Sequence, residues 1–257
     1  MQLRPCIDIH NGKVKQIVGQ SLRDAGSSAQ ANFVSEHSAD YFALMYKEDN
    51  IKGGHIIMLN KAGSEYYEKT KAQALFALSA YPMGMQIGGG INADNAEEFL
   101  KAGASHVIVT SYVFSDGKIN MKNLEKLKSA VGKEHIVLDL SCKKKGENYY
   151  VVTDRWQNFT DTVLSTKTLD SLTDYADEFL IHAADVEGKK AGIDKDVLKI
   201  LSTYDKKPVT YAGGVSSLDD IETIKNFGSG NVNVTVGSAL DIFGGSLSYK
   251  ELVRKYR

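Results

Sequence analysis

Short, almost continuously apolar runs alternate with longer amphipathic ones from end to end of the chain. The apolar runs predict strands at Leu3–Ile9, His55–Leu59, Met85–Ile87, His106–Thr110, His135–Leu140, Glu178–His182, Val209–Tyr211 and Val232–Val236. Several lack the polar alternation of a one-sided sheet, as expected where both faces of a parallel sheet are covered. Among the runs that read as helices are Ser64–Ala80, Asp94–Lys101, Met121–Val131, Ile193–Thr203 and Leu218–Phe227. Strand followed by helix, repeated in this way, denotes βαβ units. Eight strands in 257 residues is the proportion of an α/β protein of the (β/α)8 TIM-barrel class. A doubly wound open sheet is the competing arrangement.

Internal repetition favours the barrel. Met85-Gln-Ile-Gly-Gly-Gly-Ile-Asn92 is echoed by Thr210-Tyr-Ala-Gly-Gly-Val-Ser216, and Val107-Ile-Val-Thr-Ser111 by Val234-Thr-Val-Gly-Ser238. Pro5-Cys-Ile-Asp8 is echoed by Val137-Leu-Asp139, and a hairpin is expected after each aspartate, at Lys13–Val18 and Tyr149–Arg155. Three motifs in one order at nearly one offset imply two similar halves. The reading is therefore one barrel domain, residues 1–257, built from half-barrels of about 1–131 and 132–257.

Composition narrows the function. A net charge of −1 argues against electrostatically driven nucleic-acid binding, which requires a basic face, and leaves room for a local basic pocket. No apolar run approaches the length that crosses a bilayer, and the N-terminal stretch has no cleavage-site pattern. Cys6 and Cys142 are far apart, so they indicate neither a disulfide framework nor zinc spacing. A reducing, cytoplasmic setting is expected, with a small anionic metabolite as the ligand.

Candidate chemistry gathers at strand ends. A strand running into Gly-Gly and then a helix start presents backbone N–H groups and a helix dipole to an anion. Gly89 and Gly90 with Thr110 and Ser111, and Gly213 and Gly214 with Gly237 and Ser238, give each half such a set, which points to a substrate with two phosphate groups. A tight turn that merely needs glycine explains one such run equally well. Asn92, and Ser217 three residues before Asp220, read as helix caps.

Asp8 and Asp139 end the first and fifth strands, where barrel active sites lie. Two carboxylates there divide acid and base roles if their surroundings set different pKa values; a structural carboxylate capping the next loop is the alternative. Trp156, the only tryptophan, suits stacking on a heteroaromatic base or packing in a loop cluster. His182 and Asp185 follow the sixth strand, with His182 an acid–base aid or a structural histidine. Lys143-Lys-Lys145 reads as solvated loop charge. No His/Cys/carboxylate cluster has metal-ligand spacing and no Ser-His-Asp elbow is present. No metal and no cofactor are expected.

These residues carry a resemblance. Arg4-Pro-Cys-Ile-Asp-Ile-His-Asn-Gly-Lys-Val-Lys-Gln-Ile-Val18, Gln86-Ile-Gly-Gly-Gly90, Val137-Leu-Asp-Leu-Ser-Cys142, Ile181-His-Ala-Ala-Asp-Val-Glu-Gly188, Tyr211-Ala-Gly-Gly214 and Asp241-Ile-Phe-Gly-Gly245 resemble the isomerases of histidine biosynthesis, in their eukaryotic, fungal-type branch. The resemblance covers essentially the whole chain. It implies a half-barrel-duplicated TIM barrel that carries out a cofactor-free Amadori rearrangement, aminoaldose to aminoketose. Asp139 then matches the general acid and Asp8 the general base, the two glycine–hydroxyl sets match two phosphate sites, and Trp156 a stacking residue. Gln16, Asn92 and Ala183 stand where many bacterial members have Arg, Arg and Thr, and Glu187-Gly188 replaces the common Asp-Gly. Gln16 still hydrogen-bonds but supplies no charge. A monomer acting on a small molecule is expected, with residues 19–36 as a mobile lid. Two rival readings are the cyclase subunit of imidazole glycerol phosphate synthase and a silent barrel that only binds phosphorylated ligands.

Overall fold

Strand and helix alternate eight times in a computed structural model that describes residues 1–17, 31–187 and 192–257. The chain is an α/β protein of the expected (β/α)8 class. Of the expected lid, residues 19–30 lie outside the described residues, as do Val18 and Gly188. Ala31–Val34, which falls inside that supposed loop, is a strand paired with Lys13–Ile17, because alternate residues there are half-buried.

One unit comprises Leu3–Ile108 and Val236–Arg257. Its strands β1 (Cys6–His10), β2 (Gly54–Met58), β3 (Met85–Gly88) and β4 (His106–Val109) pair in parallel, each with the next. Helices α1 (Ala39–Glu48), α2 (Tyr67–Ala80), α3 (Ala96–Lys101) and, from the C-terminus, α8 (Tyr249–Tyr256) belong to it. Buried positions in α1 are Ala39, Phe42, Ala43 and Tyr46, and in α8 Tyr249, Leu252, Val253 and Tyr256. Both follow the i, i+3, i+4, i+7 spacing that puts one apolar stripe on a helix.

The other unit comprises Met1–Gln2 and Val109–Thr235. Strands β5 (Ile136–Asp139), β6 (Glu178–His182), β7 (Val209–Ala212) and β8 (Val232–Val234) again pair in parallel in sequence order. Helices α4 (Met121–Val131), α5 (Thr166–Leu172), α6 (Lys195–Leu201) and α7 (Leu218–Phe227) alternate with them. Ser217 and Asp220 form the expected capping box at the start of α7. The predicted second hairpin is a three-stranded meander, Cys142–Lys145, Asn148–Thr153 and Asn158–Val163.

Strand burial has a pattern that bears on function. β3 and β7 are buried at every position. β1 is interrupted only at Asp8, β5 only at Asp139 and β6 only at His182, each partly exposed among buried neighbours. These three strands thus reach solvent at an ionisable side chain, whereas β2 does so at Ile57.

Packing predicts opposite fates for two phenylalanines. Phe99 on α3 is fully buried, whereas Phe76 on α2 is 53% exposed. Phe99→Ala is expected to cost about 3–5 kcal/mol by urea unfolding and Phe76→Ala within about 0.5 kcal/mol; equal costs would contradict the assignment of the core.

Candidate active site

Asp139 is held by two hydroxyls. Thr110 Oγ1 donates to Asp139 Oδ2 at 3.0 Å, and Ser141 Oγ donates to Oδ1 at 2.8 Å. Burial pushes the Asp139 carboxyl above the usual aspartate range; the charge of His182 and the bonds from Ser141 and Thr110 pull against that shift without cancelling it. A carboxyl so placed retains a proton to a higher pH than a solvated one, which suits a proton donor. Ser141 was not among the residues expected at the site. Its signal was its position two residues beyond Asp139, within the Val137–Cys142 motif.

Around Asp8 the neighbours differ. Cys6 Sγ lies 3.9 Å from Asp8 Oδ2, and Gln16 Nε2 donates to Cys6 Sγ at 3.5 Å. Gln16 is therefore brought to the cysteine beside the aspartate. Period two along β1 puts Cys6 and Asp8 on one face. Gly237 closes over this group: a Cβ at that residue would stand 2.8 Å from Gln16 Oε1 and 3.1 Å from Cys6 Sγ. A side chain at residue 237 would therefore press on the Gln16 amide and the Cys6 sulfur.

The glycine turns have a steric origin. A Cβ on Gly89 would come within 2.1 Å of the Met58 carbonyl at the end of β2, and one on Gly213 within 2.8 Å of the Ala183 carbonyl just beyond β6. In both turns the chain passes so close to the end of the preceding strand that only glycine fits, and both residues also have positive φ. Gly214 is crowded by the Gly192 carbonyl, whereas Gly90, at φ 74°, has nothing within 4 Å of the place a Cβ would take.

The helix starts correct one expectation. Asn92 does not begin a helix. Its side chain accepts from the Asp94 N–H at 2.8 Å and Asn95 Oδ1 accepts from the Asn92 N–H at 2.8 Å, so an asparagine turn precedes α3. Before α7, the Asp220 carboxylate accepts from the N–H groups of both Ser216 and Ser217. An anion in that turn therefore competes with a built-in carboxylate for those amides. Thr110 is engaged by Asp139, and Ser111 Oγ accepts from the Asp154 N–H at 3.2 Å.

His182 Nε2 stands 3.2 Å from Glu187 Oε2. Burial opposes ionisation of Glu187, yet the hydrogen bond and charge of His182 outweigh it and hold that carboxyl below the usual range. Asp185, which follows the same strand, accepts from the Lys144 N–H at 2.7 Å and anchors the loop. The Trp156 ring lies 5.1 Å from the His182 ring, tilted by 56°. Its backbone is strained: Asp154, Arg155 and Trp156 have φ of 51°, 57° and 64°, at a cost of about 1–2 kcal/mol for each left-handed residue. Lys143 Nζ donates to the Trp156 carbonyl at 2.8 Å, so this lysine holds the turn and is more than solvated charge.

Residues 2–247 match the family model described as histidine biosynthesis protein. The chain is 54% identical, over 98% of its length and 81% of the relative's, to the chloroplastic 1-(5-phosphoribosyl)-5-((5-phosphoribosylamino)methylideneamino)imidazole-4-carboxamide isomerase of Medicago truncatula. Isomerases of the same chemical name from Yarrowia lipolytica and Saccharomyces cerevisiae are 46% and 43% identical, over 95% and 94% of this chain and 93% and 92% of theirs.

The raised carboxyl of Asp139 has a consequence for stability. Its folded form binds the proton more tightly than the unfolded chain does, so its contribution falls as pH rises from the ordinary carboxylate range through the raised folded pKa. Asp139→Asn removes that loss. The stability of the variant relative to wild type is expected to improve from about pH 4 to neutral pH in thermal unfolding; a pH-independent difference would refute the burial argument.

Proposed function

Since the chain belongs to the histidine biosynthesis family, and is an isomerase of that pathway like the relatives named above, we propose that Asp139 and Asp8 are the acid and base of its rearrangement. The single observation that carries this reading is the proton-retaining carboxyl of Asp139, half-buried at the end of β5 and oriented by two hydroxyls.

The reaction is an Amadori rearrangement of an aminoaldose to an aminoketose. Asp139 protonates the ribose ring oxygen; the bond from that oxygen to the first carbon breaks as the nitrogen lone pair forms a Schiff base. Asp8 then takes the proton from the second carbon, giving an enaminol that tautomerises to the ketose. Glu187, held ionised by its bond to His182, anchors that ring, and the charge of His182 favours the carboxylate of Asp139 once its proton has left. Gln16 assists Asp8 through Cys6.

The relatives' chemical name contains two phosphoribosyl groups. In this reading Gly89, Gly90, Thr110 and Ser111 serve one phosphate, Gly213, Gly214, Gly237 and Ser238 the other, and Trp156 stacks on the imidazole. The chain then works as one barrel of two related halves, as a monomer in the cytoplasm, without cofactor. The two buried free cysteines accord with a reducing compartment. The relatives' names favour the isomerase over the cyclase subunit.

Asp8→Asn and Asp139→Asn are each expected to lower kcat by at least about 100-fold with the far-ultraviolet circular dichroism unchanged. Near wild-type turnover in either variant would remove that residue from its role. The pH–rate profile should have two limbs, the one that falls with rising pH following Asp139, and turnover should survive treatment with chelator. Formation of imidazole glycerol phosphate from ammonia and the ketose would favour the cyclase instead.

A further inference from the structure

Cys6, Asp8 and His55 are brought together by two neighbouring parallel strands. Period two along β1 aligns Cys6 with Asp8, and the β1–β2 register sets His55 directly beside Cys6. A sulfur, a carboxylate oxygen and an imidazole nitrogen from these residues all lie within 4.8 Å of one another. The Sγ–Oδ2 separation is 3.9 Å, against about 3.5 Å between a sulfur and an oxygen on one tetrahedral zinc ion.

We infer that Cys6, Asp8 and His55 form a site for a thiophilic divalent cation such as Zn²⁺, and that the bound ion switches the enzyme off by occupying the Asp8 carboxylate. The donors suit the ion, since zinc takes sulfur, imidazole nitrogen and carboxylate oxygen together. Cys6 and His55 are both 4% exposed, whereas Asp8 keeps an opening to solvent. The site thus has a buried floor and one open side, as in three-ligand zinc sites that leave a fourth position free. Binding releases the Cys6 thiol proton to solvent as the sulfur–zinc bond forms. Gln16 Nε2, which donates to Cys6 Sγ, stabilises the resulting thiolate in the manner of an outer hydrogen-bond donor. The three residues are dispersed along the chain, so no spacing motif announces them.

Cation binding stands on its own geometry; the loss of activity rests on the reading of Asp8 as the base. Titration of the full chain with Co²⁺, a spectroscopic substitute for Zn²⁺, separates the two. A thiolate-to-cobalt absorption band is expected in wild type and in Cys142→Ser, and none in Cys6→Ser. His55→Asn, which leaves the thiol in place, should bind at least about tenfold more weakly. No band in wild type, a band surviving Cys6→Ser, or unchanged affinity in His55→Asn would overturn the site. Turnover should fall in step with Zn²⁺ occupancy and return on adding chelator. A cobalt band with undiminished turnover overturns the switch, and the turnover of Asp8→Asn then shows whether the base assignment has failed too.

Discussion

Burying the Asp139 carboxyl at the end of β5 costs free energy that solvent would otherwise supply, and the neighbouring groups are arranged around that cost. Thr110 and Ser141 aim hydroxyls at its two oxygens, and the charge of His182 offsets part of the desolvation. Burial still prevails, so the group holds its proton more tightly than a solvated aspartate. A hydroxyl–carboxyl arrangement of this kind fixes the orientation of the acid as well as its protonation. His182 has its own anchor in Glu187 and carries Trp156 against its ring, so the strained turn at 154–156 is tied to the same group.

Asp8, on β1 of the other unit, has different surroundings. Its neighbour is the sulfur of Cys6, itself bonded by Gln16, rather than a pair of hydroxyls. Asp8 lies at the middle of β1, short of the strand end expected for it, whereas Asp139 does end β5; unlike environments allow two carboxylates to differ in proton affinity. The same sulfur-rich setting makes Asp8 sensitive to thiophilic cations in a way that Asp139, flanked by oxygen donors, is not.

The glycine turns show how one motif serves two demands. Gly89 and Gly213 are required because each lies against the end of a preceding strand, where any side chain would strike backbone. That requirement exists whether or not a phosphate binds. The open space beside Gly90, against the crowding at Gly214, makes the two turns unequal despite their matching sequences. Asp220 adds to the inequality by taking two amides before α7.

The chain's own pattern determined the eight strands to within a few residues, because strands covered on both faces must be apolar throughout and therefore stand out. Met121–Val131 and Leu218–Phe227 were legible to the residue, since each has a polar cap before a clear apolar stripe. Asp8 and Asp139 stood out for a related reason: each is a carboxylate within or closing an apolar run, although β1 continues past Asp8 to His10. Partnerships between polar atoms were set by the three-dimensional arrangement alone. Ser141 with Asp139, Glu187 with His182, Lys143 on the Trp156 carbonyl, and Cys6 beside both Asp8 and His55 depend on ladder register and loop path. Apolar periodicity reports which face of an element is buried; it carries no information about which polar atom meets which, because that is set by strand register and by turns whose geometry the surrounding packing imposes.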